Sequence, residues 1–147
     1  AFHTKKDFQK YTKLLTLSFN NDLSQIGDFT EWTTAGITAL NGLGKAQNLC
    51  WRKATQTIGS QKRVVIEIAG YVTIPSNIAS NAHLDIIQLA SNIYQPISTY
   101  FAQVGTVGSS PASGLEFNSS NGKISIINGY SFSIGNFDSY ISMIIAA

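Results

Sequence analysis

Arg63-Val64-Val65-Ile66-Glu67-Ile68-Ala69-Gly70-Tyr71-Val72-Thr73-Ile74 alternates with period 2, the repeat of an extended strand whose successive side chains leave on opposite faces. One face, Val64, Ile66, Ile68, Gly70, Val72 and Ile74, is wholly apolar. The other, Arg63, Val65, Glu67, Ala69, Tyr71 and Thr73, mixes charge with Val65 and Tyr71. The closing segment, Tyr140 to Ala147, carries apolar groups on both faces and no charge. The expectation is burial on two sides, one against the chain's own core and one against something else.

Working outward, the same period recurs in short runs separated by turn residues. Tyr11 to Phe19 reads as a first strand, Leu23 to Gly44 as a loop with short strand pieces, and Ala46 to Thr57 as a second strand region turned by Gly59-Ser60. Pro75-Ser76-Asn77 ends the long strand, Leu84 to Leu89 is a further strand, and Ile93 to Pro96 is an extended corner, since the residue before proline is pushed out of the helical region. Ser98 to Val104 is read as a strand and Gly105 to Pro111 as an exposed loop. From Leu115 the chain becomes a meander. Asn121-Gly122 and Asn128-Gly129 are dipeptides that tolerate the positive φ of tight hairpin turns, and they precede strands at Lys123 to Ile126 and Tyr130 to Ile134. Apart from a helical turn near Lys6 to Leu14, no 3.6-residue period is sustained. Eight or more short strands with frequent turns imply an all-β antiparallel fold, a barrel or jelly-roll-like sandwich.

The 147 residues fit one domain, large enough to bury roughly 68% of the unfolded surface. Charged residues are only 12%, about half the usual share, and Ser, Thr, Asn and Gln carry the polar load. Residues 1–63 hold nine of the ten Lys and Arg, yet these are scattered rather than striped, which argues against nucleic-acid binding. Cys50 is the single cysteine, excluding a disulfide framework, and is read as a buried thiol. No apolar run approaches the ~18 residues of a membrane span, so membrane insertion is not expected. Ala1-Phe2-His3-Thr4 reads as the start of a fragment of a longer protein.

Chemistry-bearing groups are few. Glu67, Asp85, Glu116 and Asp138 are the candidates by type for glycoside hydrolysis, but Glu67 is expected to pair with a base and Asp138 to bond local backbone after a turn. His83-Leu84-Asp85 places an imidazole and a carboxylate on one side of a strand, too sparse for a metal but suited to recognition or to an ordinary surface pair. Asn41-Gly42-Leu43-Gly44-Lys45 lacks the frame and the Ser or Thr of a phosphate loop. Sugar binding asks for an aromatic face and a few planar polar groups. Trp32 beside Glu31 and Trp51 beside Arg52 supply such pairings, with Trp51 read as core and Trp32 as the more exposed. Tyr94, Tyr100 and Tyr130 suit either role.

The cadence of Gly70-Tyr71-Val72-Thr73-Ile74, Ile87-Gln88-Leu89, Tyr94-Gln95-Pro96, Gly122-Lys123-Ile124-Ser125-Ile126 and Ser139-Tyr140-Ile141 resembles the C-terminal head domains of phage receptor-binding proteins of the lactococcal siphophage type. The resemblance covers a little over half the chain. It implies a β-barrel head, residues 31–147, preceded by a neck remnant or extension with a first strand, residues 1–30. It further implies a homotrimer at the distal tail of a virion, attached to the rest of the tail or baseplate. Such a head binds cell-wall saccharide of a Gram-positive host without catalysis, cofactor or metal. Trp32, His83, Asp85 and Arg52 match the sugar-binding residues by type. On this reading Val64, Ile66, Ile68, Val72 and Ile74 line the barrel, while Val65, Tyr71 and one face of the last strand approach a three-fold axis. Two other classes stay open: a structural trimeric domain of the tumour-necrosis, complement or capsid jelly-roll kind without a sugar site, and a polysaccharide depolymerase.

Overall fold

A computed structural model describes residues 25–94, 106–107 and 114–146, with side-chain detail for residues 26–94 and 114–146. Among them the chain forms nine strands: β1 (Gln25–Ile26), β2 (Ile37–Ala39), β3 (Cys50–Ile58), β4 (Gln61–Ile74), β5 (His83–Leu89), β6 (Thr106–Val107), β7 (Gly114–Asn118), β8 (Lys123–Ile127) and β9 (Phe137–Ala146), plus one 3-10 turn at Ala46–Asn48. All pairings are antiparallel. One sheet runs β1-β3-β4-β9-β6 and the other β2-β5-β8-β7. The expected strands at Tyr11 to Phe19 and Ser98 to Val104, and the helical turn near Lys6, lie outside the described residues.

The alternation of β4 is realised. Ile66, Ile68, Val72 and Ile74, with Ile141, Met143 and Ile145 of β9, join Ile87 and Leu89 of β5, Leu115 and Phe117 of β7, and Ile124 and Ile126 of β8 in one buried cluster. Two sheets facing each other across a shared core make a sandwich. Among the described residues no ladder joins the sheets, so the sandwich alternative fits and a closed barrel is not observed. Gly70 sits on the apolar face for a packing reason: a Cβ there would lie 2.6 Å from the Asn48 carbonyl and 2.9 Å from Leu49 Cα, where the 3-10 turn crosses β4 and inserts fully buried Leu49.

Turn chemistry is part kept, part overturned. Gly59-Ser60 joins β3 to β4 with Ile58 opposite Gln61. Asn121-Gly122 closes the β7–β8 hairpin within a four-residue loop; Gly122 has φ 71°, and a Cβ there would run into the Tyr94 ring. Asn128-Gly129 is no hairpin turn and no strand follows at Tyr130 to Ile134, because the Asn128 side chain is wholly buried and bonds backbone of two segments. Thr106-Val107, expected within a loop, pairs with β9. Ile93 and Tyr94 form a buried turn rather than an extended corner, with Ile93 N–H on the Ala90 carbonyl at 3.0 Å. Cys50 is half-buried, not core.

On the outer face, Val65 is already 4% exposed within the protomer and its register partner Ala54 5%, which removes Val65 from any open interface. The bonded pairs Arg63–Gln56 and Arg52–Glu67 flank these two residues on either side, and long side chains bonded across strands cover shorter ones between them.

The two isoleucines near the chain end separate the faces: Ile145 is fully buried and Ile144 is 52% exposed. Ile145→Asp is expected to cost more than ~3 kcal/mol of stability, by loss of a buried aliphatic group and burial of a carboxylate. Ile144→Asp should cost less than about 1 kcal/mol. Urea unfolding in dilute solution measures both, and equal losses would contradict the alternation.

Candidate functional site

Residues 27–33 continue from β1 along the edge of β3, held by Gly27 N–H to Thr55 O (2.9 Å), Thr30 N–H to Lys53 O (2.9 Å) and a two-way bridge between Thr33 and Trp51. This edge segment lays Phe29 and Trp32 on the outer face of the five-stranded sheet. The Arg52 guanidinium carbon lies 4.3 Å from the Phe29 ring centroid and 4.5 Å from that of Trp32. Glu67, opposite Arg52 on β4, accepts from Arg52 Nε at 2.8 Å and lies 2.8 Å from its Nη2. The result is a planar cation fixed by a carboxylate and stacked on two rings, with Trp32 42% exposed. A cleft of about 280 Å³ is lined by Asp28, Thr30, Lys53, Ala54, Thr55 and Val64; the side chains of Lys53, Thr55 and Val64 leave the sheet on the face opposite Arg52 and Glu67, so the cleft is separate from the stack.

Farther along the same face, Tyr71 and Tyr140 are opposite one another in the β4–β9 ladder, with ring centroids 4.9 Å apart. Lys45 Nζ lies 5.1 Å from the Tyr71 ring centroid and 2.5 Å from Asp138 Oδ2, and Thr73 Oγ1 donates to Asp138 Oδ1 at 2.5 Å. The loop Asn41 to Lys45 places that lysine: Gly44 bridges Thr73 in both directions at 2.9 Å, so the next residue falls over the end of β4. Asp138 therefore bonds side chains from two distant segments, not the local backbone expected of it. Hydrogen bonds from Lys45 and Thr73 hold its carboxyl below the usual range, and the same bond to Asp138 raises Lys45.

His83 and Asp85 lie on the opposite side of the molecule, on the outer face of the four-stranded sheet. Ser125 Oγ donates to Asp85 Oδ1 at 2.6 Å, Lys123 Nζ is 3.5 Å from Asp85 Oδ2, and His83 Nδ1 is 3.8 Å from Glu116 Oε2. The structure thus brings Trp32 to Arg52, and sets His83 and Asp85 on one face of β5 with separate partners, Glu116 for the imidazole and Ser125 and Lys123 for the carboxylate; the two sets lie on different faces of the molecule. Trp51 is half-buried against the core, its Nε1 donating to the Ala35 carbonyl at 2.7 Å. Tyr94 is buried and Tyr130 exposed; Tyr100 lies outside the described residues. Glu67 pairs with a base of another strand, as its place on the polar face of β4 implied, and that base is Arg52; sequence reasoning missed Phe29 as the second ring beside Arg52. Among the described residues no group of three or more His, Cys, Asp and Glu is placed to hold a metal ion. No helix among them is long and apolar enough to cross a membrane.

Compared with protein-family models, curated proteins and solved structures, the chain matches none. Its functional reading therefore starts from its own side chains.

The Lys45–Asp138–Thr73 cluster gives a pH signature. A lowered carboxyl pKa contributes stability that is present above the ordinary value of 3.8 and lost as pH falls through the lowered one. The raised lysine contributes below its ordinary 10.5 and loses that contribution as pH rises through the raised value. Asp138→Asn should therefore unfold at lower urea than wild type at neutral pH, with the gap closing in strong acid. A gap unchanged in acid would contradict the assignment.

Proposed function

We propose that this chain is a saccharide-binding recognition head that works as a homotrimer, of the kind that tips a phage tail and attaches it to the cell wall of a Gram-positive host without cleaving it. The observation that carries the reading is the stack of Arg52 on Phe29 and Trp32, fixed by Glu67. An exposed indole face suits the C–H surface of a pyranose, and a guanidinium has five N–H donors, of which Glu67 does not use those on Nη1.

Assembly is supported by the rest of the same sheet face. Tyr140, Ile144 and Tyr71 are 65%, 52% and 37% exposed on adjacent strands. Two charge pairs on this face, Arg52–Glu67 and Lys45–Asp138, are satisfied within the protomer, so an apolar partner surface meets little uncompensated charge there. A three-fold contact through β4 and β9 would set the Trp32–Arg52 stack at the margin between protomers. Weak sites repeated on a trimer then gain by avidity. The His83–Asp85 row, whose carboxylate oxygens already bond Ser125 and Lys123, is assigned a secondary place in recognition.

Sedimentation equilibrium should give three times the 15.9 kDa chain mass for wild type and a single chain mass for Tyr140→Asp combined with Ile144→Asp. A monomeric wild type would remove the trimer. In pull-downs on intact candidate host cells, Trp32→Ala or Arg52→Ala should weaken retention roughly tenfold, about 1.4 kcal/mol, while His83→Ala does much less. Retention unchanged by the first two variants rejects this site, and release of soluble sugar from the wall would favour a depolymerase instead.

A further inference from the structure

A second feature at one end of the sandwich is more highly constructed than a surface loop requires. After β8 the chain enters Asn128, which is fully buried. Its Nδ2 group donates to three carbonyls, Ile78 O at 3.0 Å, Ala79 O at 2.9 Å and Phe132 O at 2.9 Å, so one of its two hydrogens is shared. Its Oδ1 accepts from Tyr130 N–H at 3.0 Å, and its own backbone N–H donates to Ala82 O at 3.0 Å. Ser80 Oγ donates to the Tyr130 carbonyl at 2.9 Å, and Ile78 and Ile134 bridge each other in both directions at 2.8 and 3.0 Å. The segment on either side of the loop tip is thus pinned.

What this frame displays is apolar. Tyr130 and Phe132 are 39% and 57% exposed and stack on each other, centroids 5.1 Å apart and planes at 29°. Holding two large rings in water forfeits the stabilisation that burying them would bring. The residues that build the rim, 75–82 and 128–136, include serines and asparagines and no charged residue.

We infer that the Asn128-pinned loop presents Tyr130 and Phe132 as a preformed stacking platform for an uncharged saccharide ring, a second recognition site separate from the Trp32–Arg52 stack. Aromatic faces take the C–H surface of a pyranose, and neutral hydroxyl and amide groups take its hydroxyls. The absence of charge from the building segments disfavours a phosphate, an acidic sugar or a nucleic acid, which would call for cations. Because the backbone is fixed before the ligand arrives, little ordering is left for binding to impose. The inference rests on the saccharide reading of the chain, and its test keeps the two apart.

The test is NMR of the intact protein titrated with methyl glucoside, methyl galactoside, methyl rhamnoside and N-acetylglucosamine. The expected result is that at least one shifts the ring signals of Tyr130 and Phe132. The double variant Tyr130→Ala, Phe132→Ala should weaken that binding tenfold or more without lowering the thermal midpoint appreciably, whereas the exchanged pair Tyr130→Phe, Phe132→Tyr should keep it within threefold. Sugar-dependent shifts at Trp32 alone would overturn the platform and leave the first site standing. Ring shifts that follow protein concentration instead of sugar would also overturn it, by making the platform a self-association surface. No sugar response at any of the three aromatics would overturn both sites for these neutral probes.

Discussion

Ten register pairs, from Val65 opposite Ala146 to Ile74 opposite Phe137, tie β4 to the last strand of the chain, and most of what the molecule presents depends on that ladder. Inward, it sets Ile66, Ile68 and Val72 beside Ile145, Met143 and Ser139, closing one wall of the core. Outward, it sets Tyr71 beside Tyr140 and Thr73 beside Asp138. A slip of one residue would exchange the two sets, driving tyrosine and aspartate into the core and isoleucine into water, so register here is strongly specified. The pairing joins segments far apart in sequence, which makes loop closure a large part of the folding barrier.

The outer face of this sheet shows how a chain with few charges uses them. Arg52 is matched to Glu67 and Lys45 to Asp138, and each cation also lies near an aromatic ring: Arg52 near Phe29 and Trp32, Lys45 near Tyr71. Both pairs are partly exposed, so their worth to stability is modest. Their effect is on orientation. A guanidinium bonded to a carboxylate and stacked on rings is fixed in plane, which is what a bidentate or stacking contact with a ligand requires. The rings and the aliphatic groups between the two pairs are left as the open surface.

The alternation of β4 was enough to give the all-β class, the apolar wall and the exposure of Tyr71. It was not enough for Val65, because period 2 assigns a face and cannot say what lies over it; the bonded pairs on either side of Val65 each join a β4 residue to one of β3. Asn121-Gly122 was legible because Gly122 must take positive φ under the Tyr94 ring. Asn128-Gly129 carries the same dipeptide chemistry and was misread, since nothing local distinguishes an asparagine turned to solvent from one whose amide bonds backbone some fifty residues earlier. His83 and Asp85 share a face, as their spacing implied. The meeting of Trp32 with Arg52 depends on the edge segment running beside β3, a tertiary fact that spacing along the chain does not carry.

In the proposed trimer, one face of the β4–β9 ladder belongs to the protomer and the other to the contact between copies. Radical footprinting of the tyrosines in the intact protein, over a dilution series, tests it most directly. The account predicts that Tyr140, 65% exposed in the protomer, becomes protected as concentration rises, while Tyr130 stays reactive throughout. Tyr140 equally reactive at every concentration, in a sample whose mass is that of an oligomer, would place the interface elsewhere and contradict the account.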